Sequence, residues 1–482
     1  MYAYPSYRLN RSVAVVIIAA AAVIVALVAS ATVTPTTGTA APTVSAAVTT
    51  PAQRVDPAAR AIAAQQHVTL AQAEARLSWQ QAVPSVAAAL SSRLSAASFG
   101  GIWIAPDDGD RVKVGVVDLT ARVHAVVMRV SRAAGLSGAT DLVPVRYSLG
   151  QLVSADTWLS GQLDKLSARG GAIDLGVSYR TDLNRVQLSV AGHNLTRAER
   201  SLISRATAHY GDLVQVVTQP AGSATGAALS FECLPLPHPY CQPPLRAGIY
   251  ITSTDSAGAT SQCTGGFIAA SRTDGKLYQF TAGHCVAPPG SGYTFTGTWS
   301  TQFTDGSTHA IGTVHNYVLG ANGDEAILNI NNPSGWMLPQ GWVYVMAGSD
   351  TTLNDEYPIS SAQYSTLGAR ICETGAASDA TICGTVLRLG VSVCEGPITH
   401  CTQVNNLGEA SFCGQEGDSG APVYASHQAF GLVVFQAEDL RLGYSCVTDY
   451  QGIVSASNAM NVNIVAAHLS RQGARPTVGT GT

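Results

Sequence analysis

Gly417-Asp418-Ser419-Gly420-Ala421-Pro422 sets a serine between two glycines on a sharp turn, where its hydroxyl is presented without crowding. A hydroxyl alone is a weak nucleophile. It needs a base to take its proton and donors to hold the oxyanion that forms on an attacked carbonyl. Upstream, Thr281-Ala282-Gly283-His284-Cys285 offers the base, and between them Gly323-Asp324-Glu325-Ala326-Ile327-Leu328 places an acid before an apolar run. The order is His, Asp, Ser, with separations of 40 and 95 residues.

From Gly248 onward the chain is a series of short β-like runs separated by Gly, Asn, Asp and Ser, as an all-β barrel requires. The runs are 248–252, 265–270, 277–281, 326–330, 343–347, 385–389, 421–424 and 431–435, with a helix expected over 457–469. The three motifs in this setting resemble the chymotrypsin-like serine peptidases, in their bacterial α-lytic protease and streptogrisin branch. The resemblance implies a double barrel of two packed six-stranded units over 247–470 and a loose tail over 471–482. His284 would act as general base and then acid, Asp324 would orient the imidazole, and the N–H groups of Gly417 and Ser419 would form the oxyanion hole. Peptide or protein substrates would be hydrolysed through an acyl-enzyme on Ser419, with neither metal nor organic cofactor.

Composition agrees. The net charge of −4 and a charged fraction of 12% leave no basic run for nucleic acid. All ten cysteines fall between Cys233 and Cys446, with no C-x-x-C, H-x-x-x-H or HExxH spacing, so disulfides and an oxidising compartment are expected rather than a metal site. The family resemblance implies the pairs Cys263 with Cys285, Cys372 with Cys383, and Cys413 with Cys446. Proximity alone assigns Cys394 to Cys401 and Cys233 to Cys241.

Arg8 and Arg11 precede an apolar run from Val13 to Ala29, and Ala29-Ser30-Ala31 is a small-residue cleavage pattern. Residues 1–31 therefore read as a secretory signal, with an uncleaved membrane anchor as the alternative. Residues 32–54, rich in Thr, Ala and Pro, read as a spacer. Capping boxes at Thr69 and Thr196, Pro84 in a first turn, and alternating runs near Ile102 and Val114 read as an α+β segment over 55–225. A helix through Leu152, Leu159 and Leu163, closed by Gly170-Gly171, and a hairpin turning at Thr181–Asn184 belong to it. Its position and the Phe99-Gly100-Gly101-Ile102-Trp103 stretch resemble the pro regions of the same branch, which assist folding of the catalytic domain and inhibit it. An independent binding domain is the alternative. The chain would then be a monomeric zymogen with an activation linker at 226–246, cut at Arg246-Ala247 or nearer 225.

Two features depart from the family pattern. Relatives commonly have arginine after the cysteine matched by Cys372, paired with the acid matched by Asp418; here Glu373 stands there. Arg370 or a new amino terminus is then the expected cation for Asp418. Relatives also have a serine and glycines where this chain has Val434, Phe435 and Gln436, so a narrowed pocket and small side chains at the cleavage point are expected, with Gln415 and Glu416 beside the substrate. A peptidase-like scaffold that binds without turnover is the alternative function.

Overall fold

The computed structural model describes residues 55–169, 173–191, 195–218, 241–256, 258–303, 305–346, 355–395, 401–439 and 444–467. The signal, the spacer, Gly170-Gly171, most of the activation linker with Cys233, and the tail lie outside these residues.

Helix starts follow the capping chemistry. Asp56, Thr69, Ser148 and Thr196 each accept first-turn N–H groups, and at the last three Gln72, Gln151 and Glu199 bond back to the cap. Residues 83–218 then repeat one plan twice: helix, hairpin, helix, parallel strand. The first copy is helix Val83–Arg93, strands Phe99–Ala105 and Arg111–Val116, helix Ala121–Ala133 and strand Thr140–Pro144. The second is helix Leu149–Ser167, strands Leu175–Arg180 and Arg185–Val190, helix Arg197–Tyr210 and strand Val214–Thr218. The reading from sequence finds the second copy and half of the first. Helix Ala121–Ala133 escapes it because Val123, Val126, Val127 and Val130, at helical spacing, are β-branched and weigh against a helix.

The remaining chain forms two barrels. In the first, one bent strand runs from Thr260 to Ser271. Its early part pairs with Ile249–Thr254 and its late part with Leu277–Thr281. At the corner Gly266 and Phe267 keep the ladder through bonds to Phe280, so the sheet closes. Strands Gly323–Asn329, Thr308–Gly320 and Thr298–Gln302 complete the circuit, giving six strands when the bent one is counted once. The second barrel runs Arg370–Gly375, Pro422–Ala425, Gln428–Asp439, Tyr444–Gly452, Thr402–Ala410 and Ala380–Glu395, and the last pairs with the first to close it. The expected double barrel is thus present.

Strand Leu175–Arg180 pairs with Ala380–Glu395 and continues the second barrel's sheet, so residues 55–218 are joined to that barrel. One expectation changes: the closing helix is shorter and earlier than expected, at Ile453–Ala459. Asn461 adopts a left-handed φ of 54° and reverses the chain, after which Val462–Ile464 pairs with the strand Ile268–Ser271. Val462 and Ile464 alternate about Asn463 as strand residues.

The first helices grip the second barrel through two glutamines. Gln65 gives its amide nitrogen to the Thr381 carbonyl at 2.8 Å and accepts from Cys383 N–H at 2.7 Å. Gln80, buried, closes the same kind of ring on Arg370, donating to its carbonyl at 2.8 Å and accepting from its N–H at 2.7 Å. Each amide stands in for a missing neighbour strand. Gln80→Ala should remove both bonds to the Arg370 backbone and cost about 2 kcal/mol, read as a lower urea midpoint at unchanged slope; an unshifted midpoint would contradict this account.

Candidate active site

His284 lies on the short helix Gly283–Val286, immediately after the strand Leu277–Thr281. Only glycine fits before it, since a Cβ at Gly283 would overlap the Val318 carbonyl oxygen. Asp324 lies on the neighbouring strand and is fully buried. Its Oδ1 accepts the His284 backbone N–H at 2.8 Å and its Oδ2 meets His284 Nδ1 at 2.6 Å. A buried carboxylate held by two donors of one residue fixes both the position of that residue and the plane of its ring. Nδ1 carries the proton toward Asp324, which leaves Nε2 as an acceptor. Its neighbour Glu325 does not meet His284, because adjacent side chains of a strand take opposite faces.

Ser419 is held by its backbone. Thr264 N–H donates to the Ser419 carbonyl at 2.9 Å, and Thr264 Oγ1 donates to the Gly417 carbonyl at 2.9 Å. Gly420 N–H reaches Val433 O at 2.7 Å, and a Cβ on Gly420, whose φ is 86°, would overlap Thr264 O and Thr281 Oγ1. Gly417 has φ 100°, a conformation glycine adopts without strain. Cys285 Sγ lies 3.8 Å from the Ser419 carbonyl, so the nucleophile turn abuts the turn that carries His284. Among the described residues the Ser419 hydroxyl takes no hydrogen bond, and the N–H groups of Gly417 and Ser419 donate to none.

The disulfides Cys263–Cys285, Cys372–Cys383, Cys394–Cys401 and Cys413–Cys446 are formed. The first ties the strand before the bend to the His284 turn, and the last ties the nucleophile loop to the strand opposite. Cys241 is disulfide-bonded, while the pairing with Cys233 falls outside the described residues.

Among the described residues Asp418 meets no cation, and of the two expected candidates Arg370 is not its partner. Its Oδ1 accepts the N–H groups of Ala377 at 2.8 Å and Ser378 at 2.9 Å, and its Oδ2 accepts that of Gln415 at 2.7 Å. Arg370 turns instead to Thr385 Oγ1 and Asp110. Burial pushes the Asp418 carboxyl up, and the three N–H donors pull it back. Glu373, fully buried with neither oxygen bonded, is pushed well up by burial and then by the Asp418 charge. Of the two acids Glu373 therefore keeps a proton, and backbone amides replace the expected ion pair.

Structure comparisons find resemblances. A glutamic acid specific serine protease using a histidine triad in substrate binding matches with 24% identity and a TM-score of 0.36, over 46% of this chain and 100% of that one. Thermobifida fusca protease A matches at 20% and 0.35, over 46% and 99%. An α-lytic protease homolog matches at 21% and 0.33, over 45% and 97%. No family model matches, and no curated protein matches.

The substrate-side residues divide. Gln415 and Glu416 are exposed beside Gly417, whereas Val434 is buried in the first barrel's apolar cluster. Phe435 is partly buried against that cluster, and Gln436 Nε2 donates to Cys446 Sγ at 3.4 Å. A cavity of about 590 Å³ lies elsewhere and touches none of His284, Asp324 or Ser419. Reading for reactive groups overlooked Thr264 and Gly283, which organise the site; their adjacency to Cys263 and His284 was the available signal.

Glu325 has no bonded carboxyl oxygen, and burial followed by the Asp324 charge pushes it up to about 8 from an ordinary 4.5. The folded state thus holds this proton more tightly than the unfolded chain does. The resulting stabilisation is complete below about pH 4.5, declines as pH rises and is gone above about 8. Glu325→Gln should therefore gain stability relative to the natural chain between about pH 5 and about pH 9, measured by urea unfolding at each; an equal or falling difference would sink the assignment.

Proposed function

We propose that this chain is a secreted serine endopeptidase made as a zymogen. The observation that carries the reading is the two-point hold of Asp324 on His284, beside a serine turn whose two candidate oxyanion donors have no other acceptor among the described residues. In this reading His284 Nε2 removes the Ser419 proton as Oγ attacks a peptide carbonyl carbon, and the carbonyl oxygen becomes an anion held by the N–H groups of Gly417 and Ser419. The imidazolium then passes its proton to the leaving amine, and Asp324 stabilises its charge. Water takes the amine's place, and the same base releases the acid from Ser419.

Residues 55–225 are proposed as the pro region, carried by the continuation of the second barrel's sheet into Leu175–Arg180. Burial favours an activating cut nearer 225 than Arg246-Ala247. Ala247 is fully buried, its N–H donates to Trp342 O at 3.0 Å and its carbonyl accepts from Tyr344 N–H at 2.9 Å. The Arg246 side chain is buried on Glu356 and on the Gln242 and Pro244 carbonyls. The unengaged Ser419 hydroxyl and the bulk of the partly buried Phe435 favour the second reading, a scaffold that binds without turnover.

Fluorophosphonate labelling of the secreted protein beside Ser419→Ala separates the two. The natural chain is expected to label at Ser419 and turn over peptides, the variant losing on the order of 10⁶ in rate and staying uncut between residues 218 and 247. Failure of correctly disulfided, processed protein to label would leave the scaffold reading standing.

A further inference from the structure

Beneath the nucleophile turn two carboxyls are fully buried in opposite surroundings. Asp418 accepts the N–H groups of Ala377, Ser378 and Gln415, so it ties the turn after strand Arg370–Gly375 to the loop that ends in Ser419. The fit is close, since a Cβ on Gly375 would overlap the Asp418 carboxyl. Glu373 stands two residues before Gly375 on the same strand, and neither of its oxygens is bonded.

The groups packed on Glu373 are apolar or committed elsewhere. Ile382 and Val423 stand opposite it on the two adjacent strands. Gly414 approaches from the nucleophile loop, where a Cβ would lie 3.2 Å and 3.6 Å from the two Glu373 oxygens, but its N–H is given to Thr448 Oγ1 at 2.8 Å. Thr448 in turn gives its hydroxyl to the Phe412 carbonyl at 2.9 Å. The Tyr424 hydroxyl meets Thr374 Oγ1 at 2.8 Å and is pushed up by burial, so it stays neutral. Arg370 points to Thr385 and Asp110, and Asp379 and Glu416 are exposed. The charge that acts on Glu373 is that of Asp418.

A buried carboxylate without donors, beside a like charge, is strongly unfavourable. The site therefore suits one negative charge, on Asp418, and one proton, on Glu373. Loss of that proton to water would set a second charge against the first with no donor to receive it. Hydrogen bonds then have to give, and those of Asp418 hold the turn. Gly417 and Ser419 flank Asp418, so displacing its carboxyl displaces both candidate oxyanion donors.

We propose that Glu373 is the positioning residue of the oxyanion turn: uncharged, it leaves Asp418 on its three amides, and charged, it drives that turn out of place. The device limits the site on the alkaline side. Its catalytic consequence rests on the peptidase reading, whereas the placing of the turn does not.

The turn is followed by hydrogen exchange at the Ala377, Ser378 and Gln415 amides in the full-length Ser419→Ala chain, with and without Glu373→Gln. Rates should agree at about pH 6, and at about pH 9 the chain with Glu373 should exchange these amides at least about tenfold faster, while the His284 amide stays equal. Glu373→Met, apolar and of similar length, should match Gln, so that loss of folding in one variant leaves the other to decide. Equal rates in all chains at both pH values, faster exchange in the variants at about pH 6, or failure of both variants to fold would overturn the proposal.

Catalysis is followed as the rate of fluorophosphonate labelling from about pH 5 to about pH 10 in processed Glu325→Gln protein, which removes the other buried acid. The rate should fall on the alkaline side with Glu373 and stay level with Gln at that position; the same fall in both would count against the role. Absence of labelling at every pH beside the expected exchange pattern would reject the peptidase reading and leave the positioning of the turn intact.

Discussion

Thr264 is the residue through which the two barrels reach the same place. It is fully buried, and its N–H and hydroxyl are engaged across the boundary between the barrels. Its N–H holds the Ser419 carbonyl, its hydroxyl holds the Gly417 carbonyl and receives Ala376 N–H, and its own carbonyl receives Thr281 Oγ1. Backbone groups inside a protein must find partners, and here those of the nucleophile turn find them on the other barrel. The requirement brings Ser419 to the His284 turn without any direct bond between the two side chains. Gly420 and Gly283 follow from it, since the approach is too close for a β-carbon at either.

The residues that handle charge obey a related constraint. Asp324 and Asp418 are both buried carboxylates, and both are met by backbone N–H groups rather than by arginine or lysine. A backbone donor cannot swing away, so each acid also fixes the loop that supplies its donors. Glu325 and Glu373 each sit next to one of these acids and have no such donors, which is why their protons stay. Each of these acids thus has a protonated one beside it, along the chain at Asp324 and in space at Asp418.

Much of this was legible in the residues themselves. Two capping boxes and the second αββαβ copy could be read because each rests on local spacing, while three of the cysteine pairs came from the resemblance carried by the three motifs and a fourth from proximity. What could not be read was decided by contact. The valines of helix Ala121–Ala133 took a helix because its buried side packs on neighbours, and the run after Asn461 became a strand because an edge was waiting at Ile268–Ser271. The exchange of an ion pair for amides at Asp418 depends on where the Ala377-Ser378 turn falls, and the role of Thr264 depends on two strands far apart in sequence.

The pairing of Leu175–Arg180 on Ala380–Glu395 has a meaning for the protein that would remain if the first 225 residues left. Departure would uncover the later part of Ala380–Glu395, beyond the pairing with Arg370–Gly375, and a straight bare strand is a template on which copies of the chain stack. This one is not straight. Gly390 takes a φ of 66°, and the pairing shifts register between Leu389 and Ser392, so the uncovered edge is broken near its middle. The same irregularity that leaves the attachment short would keep such a shortened chain from stacking on its copies.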